Sequence, residues 1–286
     1  MRHEALEGAG LSYAPCRYGT SKMYFRGPRR PLDGRYVTFV GGTETYGKFV
    51  PRPFPALVEE ATGEVCVNFG CVNASIDAFM HEQMVQAVCH DAAMNVVQVT
   101  GAINLSNRFY TVHPRRNDRF LRASSVLRAI YPEVDFADFC FTRHMLGTLH
   151  TVSPERFEIV RSELQQAWSA RMRRFLSEVG RHTILLWFAD RLPSDAAWDD
   201  RAEPFRADPM FVTRRMIDGL RGLVRSVVVV QPTARAMAAG TDGMIFSERQ
   251  AEAASALMGV AAHAEAAEAV AGALTSALPA ARRRTA

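Results

Sequence analysis

The chain has 286 residues, 48% hydrophobic and 22% charged, with a formal net charge of +4. This balance excludes a disordered chain and allows one large or two small packed domains, and so mild a positive excess does not by itself imply nucleic acid. Cys16, Cys66, Cys71, Cys89 and Cys140 form no CxxC pair and no Cys/His metal spacing, so the expectation is reduced, mostly buried thiols in a cytoplasmic protein with neither metal nor cofactor. Residues 1–19 lack the apolar core of a signal peptide. No apolar run reaches the roughly 18 residues of a membrane helix, so no membrane association is expected.

Residues 1–35 read as an irregular lead-in, with Arg26, Arg29 and Arg30 expected on a solvated surface. Tyr36 to Val40 is a β-branched and aromatic strand that runs into Gly41-Gly42-Thr43-Glu44-Thr45-Tyr46-Gly47. Paired glycines after such a run mark a tight loop. In an open α/β sheet, ligands bind just past the carboxyl ends of the strands. A short helix follows, with Pro55 in its first turn and Gly63 at its stop, then a strand over 64–70. Ile76, Phe79, Met80, Met84, Val85 and Val88 give 73–90 a helical pattern, and 94–100 reads as a third strand.

Residues 102–154 break the alternation and read as an inserted cap: a polar, aromatic and basic stretch, NRFYTVHPRRNDRF, then two short helices. Ser153 and Pro154 open a long helix that Gly180 stops. Strands follow at 183–188 and 226–230, with helices near 209–222, 248–258 and 261–278 and a disordered tail at 279–286. Near-continuous apolar strands separated by helices predict a parallel sheet covered on both faces. The expectation is a single α/β domain over 36–278, a three-layer arrangement with its cap inserted after the third strand.

The run from GGTETYG through VCVNFGCVNASIDAF resembles the opening of the SGNH (GDSL-type) hydrolases. Gly41, Thr43 and Gly47 keep the spacing of that family's GDSxxxG loop, with Gly42 in the aspartate place and Thr43 in the serine place. Val67-Asn68 continues the likeness, Asn73 stands where the second-block glycine would be, and Gly101 to Asn104 lies near the family's GxND. His263 precedes a final helix, as the family's base does, although Val260 occupies the place of its aspartate. The resemblance implies a five-stranded flavodoxin-like sheet. It also implies an esterase or acyltransferase in which Thr43 attacks an acyl carbon, His263 takes the proton, and the Asn73 N–H and Asn104 amide stabilise the oxyanion.

Two further patterns bear on substrate. Gly42 to Lys48 satisfies GxxxxGK, which would place backbone N–H groups and Lys48 around phosphate in a sulfuryl or phosphoryl transferase; Phe49 stands where magnesium needs Ser or Thr. Arg108, Arg115, Arg116 and Arg119, with His113, oppose only Asp118 and are expected to overhang the pocket as anion-binding forks. Together with Glu44 and Lys48 they form the expected substrate-binding set of an electropositive hollow. The expected partner is a small molecule or glycan carrying anionic groups, and nucleic acid is not expected. A catalytically silent, SGNH-like binding protein is the remaining reading.

Overall fold

Runs of β-branched and aromatic residues form five buried strands. In chain order the elements are β1 (Tyr36–Gly41), α1 (Thr43–Tyr46), α2 (Phe54–Thr62), β2 (Val65–Gly70), α3 (Ile76–Met80), α4 (Gln83–Asp91), β3 (Met94–Gln98), β4 (Tyr110–His113), β5 (Arg116–Ala123), α5 (Ser125–Ile130), α6 (Thr142–Val152), α7 (Pro154–Val179), β6 (Thr183–Phe188), α8 (Arg214–Asp218), β7 (Ser226–Val230), α9 (Ala234–Ala238), α10 (Ala251–Ser255) and α11 (Val260–Ala277). The structure, a computed structural model, describes residues 10–196 and 208–278. The expected tail at 279–286 lies outside the described residues.

Five strands form one parallel sheet in the order β2-β1-β3-β6-β7. This is the flavodoxin-like order, whose topological switch falls between β1 and β3. There the crossovers leave in opposite directions and open a crevice beyond the strand ends. Each sheet face buries its own apolar set. Val40, Val97, Leu185 and Trp187 pack towards Val85 of α4 and Trp168 and Met172 of α7. Val37, Phe39, Val96, Ile184 and Leu186 pack towards Phe54 and Val58 of α2 and Ala266 and Val270 of α11. Three layers result, as the alternation predicts. Among the described residues, no helix is long and apolar enough to cross a membrane.

The helix expected over 73–90 is two. Ser75 caps α3, and the Gln86 amide donates to the Phe79 and Met80 carbonyls that a continuing helix would have used. The insertion carries an antiparallel β4–β5 hairpin where only a loop is predicted, followed by the two expected short helices. β4 has only four residues and β5 is strongly charged, so their alternation is masked in sequence. Arg26, expected in solvent, is 6% exposed and donates to the carbonyls of Tyr46, Gly47 and Pro51, closing the C-terminal end of α1.

The loop of 41–47 packs directly on β2. A Cβ at Gly70 would stand 2.2 Å from the Tyr46 amide nitrogen. Gly70→Ala should therefore destabilise the protein by about 1–3 kcal/mol in urea unfolding. An unchanged unfolding midpoint would mean that the loop does not rest on this strand.

Candidate functional site

Gln98, the last residue of β3, organises the loop after β1. Its Oε1 accepts from the Gly42 N–H (3.0 Å), the Thr45 N–H (3.2 Å) and the Thr45 hydroxyl (2.6 Å). Its Nε2 is left to donate to Glu44 Oε2 at 2.9 Å. A Cβ at Gly41 would fall 2.2 Å from Thr45 Oγ1 and 2.5 Å from Gln98 Oε1, so only glycine admits this clamp. Asn68 on β2 holds the far side by donating to the Thr45 carbonyl at 2.7 Å.

The clamp sets Thr43 at the first turn of α1, where three sequence-predicted residues meet. The Asn73 N–H donates to Thr43 Oγ1 at 3.0 Å, and the Thr43 hydroxyl lies 3.4 Å from Asn73 Oδ1. Asn73 has φ of +58°, the left-handed region that asparagine tolerates better than most residues. The Asn104 amide donates to the Asn73 carbonyl at 3.4 Å and accepts the Thr142 hydroxyl at 2.5 Å. The hairpin completes the network. Asp118 accepts from the Asn73 side chain at 3.1 Å, and Asn117 accepts from the Ser75 N–H at 3.0 Å. Gln98, Asn117, Asp118 and Thr142 escape the sequence reading. For Gln98 the available signal is one amide ending an apolar strand; for Asn117 and Asp118 the surrounding arginines hide it.

Thr43, Glu44, Asn73 and Asn104 line one cavity of about 1240 Å³ beyond the carboxyl ends of β1 and β3. Its charge is opposite to expectation. Carboxylates come from Glu44, Asp118, Asp190, Asp208 and Glu252, whereas cations come from Arg143 and Arg249, with His144 beside them. Burial pushes the Glu44 carboxyl up, and nearby Asp208 adds to this, against the Gln98 hydrogen bond and the Arg143 charge. Arg143 pairs with Asp208 at 3.2 Å. Among the described residues, no three His, Cys, Asp or Glu side chains are grouped to hold a metal ion.

His263 is not part of this cavity. It is 1% exposed, its ring packs against Phe54 and Phe188, and its Nδ1 accepts the Phe54 N–H at 3.1 Å. The expected pair with Thr43 is not formed, because the first turn of α11 turns inward onto α2. Lys48 is also displaced: it is half-buried, its Nζ lies 4.8 Å from the Phe49 ring centre, and burial lowers its pKa. The N–H groups of Gly42, Thr45, Tyr46, Gly47 and Lys48 are paired within the loop or to Gln98, so most of this loop's donors are not offered to a phosphate.

The expected arginines stand outside as well. Arg108 pairs with Glu163 at 2.7 Å, Arg119 lies over Phe141, and Arg115 and Arg116 are exposed at the hairpin turn, where their N–H groups donate to His113 Nδ1. None of these, nor His113, lines the cavity. The buried rings of Trp168 and Trp187 are core.

The fold and site define a parallel α/β protein with a polar, carboxylate-rich cavity at its topological switch. The sequence matches the family described as "Domain of unknown function (DUF6473)" over residues 1–278, and the chain belongs to that family. No curated protein matches it. Among solved structures it is similar to a carbohydrate esterase family 2 enzyme with a carbohydrate-binding domain from Corynascus thermopiles (Myceliophthora fergusii). That match has 12% identity and a TM-score of 0.42, covering 88% of this chain and 68% of the other. It is also similar to the lipase/acylhydrolase from Enterococcus faecalis, at 12% identity and a TM-score of 0.38, covering 87% and 100%. Likenesses this distant carry no statement about activity, which has to be read from the site itself.

Burial moves the His263 imidazole down from 6.5 to about 3, with the Arg26 charge contributing. Between those values the unfolded chain binds a proton that the folded chain refuses. Folding stability therefore falls as pH drops through this window, by at most about 1.4 kcal/mol per pH unit from this residue. His263→Gln should show a shallower loss of unfolding free energy over the same range. Parallel slopes in the two proteins would show that the ring titrates in contact with solvent.

Proposed function

We propose that the cavity is the substrate site of an esterase or acyltransferase whose substrate presents an uncharged, hydroxyl-rich, carbohydrate-linked group. The observation that carries this reading is the placement of the Thr43 hydroxyl and the Asn73 N–H, 3.0 Å apart, in one cavity at the strand ends. A hydroxyl beside an amide donor suits attack on an acyl carbon, with the donor near the developing oxyanion. Carboxylates and amides suit hydroxyl groups, and five carboxylates facing two guanidinium groups disfavour an anionic group inside. Glu44, next to Thr43, and His144 are among the proton acceptors facing the cavity; His263, buried with its Nδ1 occupied, takes no part.

A second reading rests on the same burial of His263. Without a histidine fixed beside Thr43, the site binds its ligand and does not turn it over. The pairing of the Gly42, Thr45, Tyr46, Gly47 and Lys48 N–H groups, with Lys48 away from the cavity, disfavours the sulfuryl- or phosphoryl-transfer alternative.

Hydrolysis of acetylated oligosaccharides and of a small aryl acetate separates these readings. For the enzyme, Thr43→Ala should lower turnover at least about 100-fold and Asn104→Ala by about 10²–10³-fold, while His263→Gln leaves the rate within a few-fold. Full turnover in Thr43→Ala removes that residue from the mechanism. Binding of neutral oligosaccharides without ester cleavage selects the second reading.

A further inference from the structure

The arginines that do not enter the cavity form a surface of their own. Residues 108–128 contain six arginines and one aspartate, a net of +5, so the rest of the chain sums to −1. Residues 17–35 carry a like net of +5, but none of them lines the cavity, whereas Asp118 of the hairpin does. Arg115, Arg116 and Arg122 are exposed there, and Leu121 and Val126 stand among them at 53% and 50% exposure. The hairpin is held firmly: Asn117 accepts from the Ser75 N–H and Asp118 from the Asn73 side chain, beside Thr43. Arg119 lies 4.4 Å above the ring of Phe141, and Phe141 lines the cavity. A basic track therefore begins at the cavity rim and runs outward.

We propose that the exposed face of the β4–β5 hairpin docks a linear anionic polysaccharide, its carboxylate or sulfate groups lying along Arg115, Arg116 and Arg122. Guanidinium forks match planar carboxylates and sulfates, and three of them stand exposed along this element. Single-stranded nucleic acid requires exposed aromatic rings on which bases stack. Here Phe109, Tyr110, Phe120 and Phe136 are buried, and Phe141, 42% exposed, lines the cavity with Arg119 over its ring, so no row of exposed rings runs along the hairpin. A protein partner requires a continuous apolar centre, and the exposed apolar side chains of this face are separated by arginines. An anionic chain on the hairpin and an uncharged unit in the carboxylate-lined cavity also give one substrate two environments that suit it. The docking inference itself rests on charge and exposure and does not depend on acyl transfer.

Fluorescence anisotropy tests this with labelled oligogalacturonate, a heparin oligosaccharide, dextran and a single-stranded DNA oligomer, each at low and high salt. The expected result is binding of one or both anionic oligosaccharides, weakened by salt, with no binding of dextran to the hairpin and weaker binding of DNA. Arg115→Gln/Arg122→Gln should weaken oligosaccharide binding roughly tenfold. Arg174→Gln/Arg181→Gln removes the same charge from exposed positions elsewhere and should change it little. Cleavage of a small aryl acetate, where present, should be equal in the wild type and the hairpin variant. Equal losses in the two double variants, DNA binding as tight as glycan binding, or no binding of either anionic oligosaccharide would overturn the inference.

Discussion

One buried carboxamide connects the sheet to the site. Gln98 ends β3 with its oxygen turned to three donors of the neighbouring loop and its nitrogen turned to Glu44. The amide cannot flip without facing its own donors with theirs, so the polarity of the clamp is set. Removing it would leave the Gly42 and Thr45 N–H groups without an acceptor, and orphaned buried donors cost about 1–3 kcal/mol each. The glycines around it are there for room: at Gly41 and Gly70 any side chain would collide with the clamp or with the loop backbone. The short helix α1 and the position of Thr43 follow from these contacts.

This economy of donors decides what the loop can bind. A phosphate-binding loop keeps its N–H groups turned outward towards the ligand. Here those of Gly42, Thr45, Tyr46, Gly47 and Lys48 are spent inward, and the Arg26 guanidinium takes the carbonyls at the other end. The loop is a rigid shelf that carries two side chains, Thr43 and Glu44, into the cavity. The same spacing of glycines and lysine thus fits two sequence patterns, and hydrogen bonding separates them.

The molecule also sorts its charge. Carboxylates gather around the cavity, whereas arginines gather on the hairpin that forms part of its rim, with Asp118 and Arg119 adjacent in sequence yet on opposite sides of that division. In a β-strand successive side chains point to opposite faces, so Asp118 can reach Asn73 while Arg119, the next residue, turns away to lie over Phe141. His263 shows the converse. It stands at a plausible place in the sequence, before the last helix, but its ring is drawn into the apolar layer between α11 and α2 and satisfied by a backbone N–H.

The sequence by itself determined the five strands of the sheet, the parallel α/β class, the long α7 with its serine cap, and the loop at 41–47 as the place of the site. These depend on periodicity, caps and glycines, which act over a few neighbouring residues. It also brought Thr43, Asn73 and Asn104 to one locus, because they follow the carboxyl ends of the adjacent strands β1, β2 and β3. The tertiary structure alone decided which side chains share the cavity, since that depends on how the hairpin and α11 fold back and on the face each presents. Charge sign, the burial of His263 and the role of Gln98 are properties of contacts between segments up to 209 residues apart, and no local pattern records them.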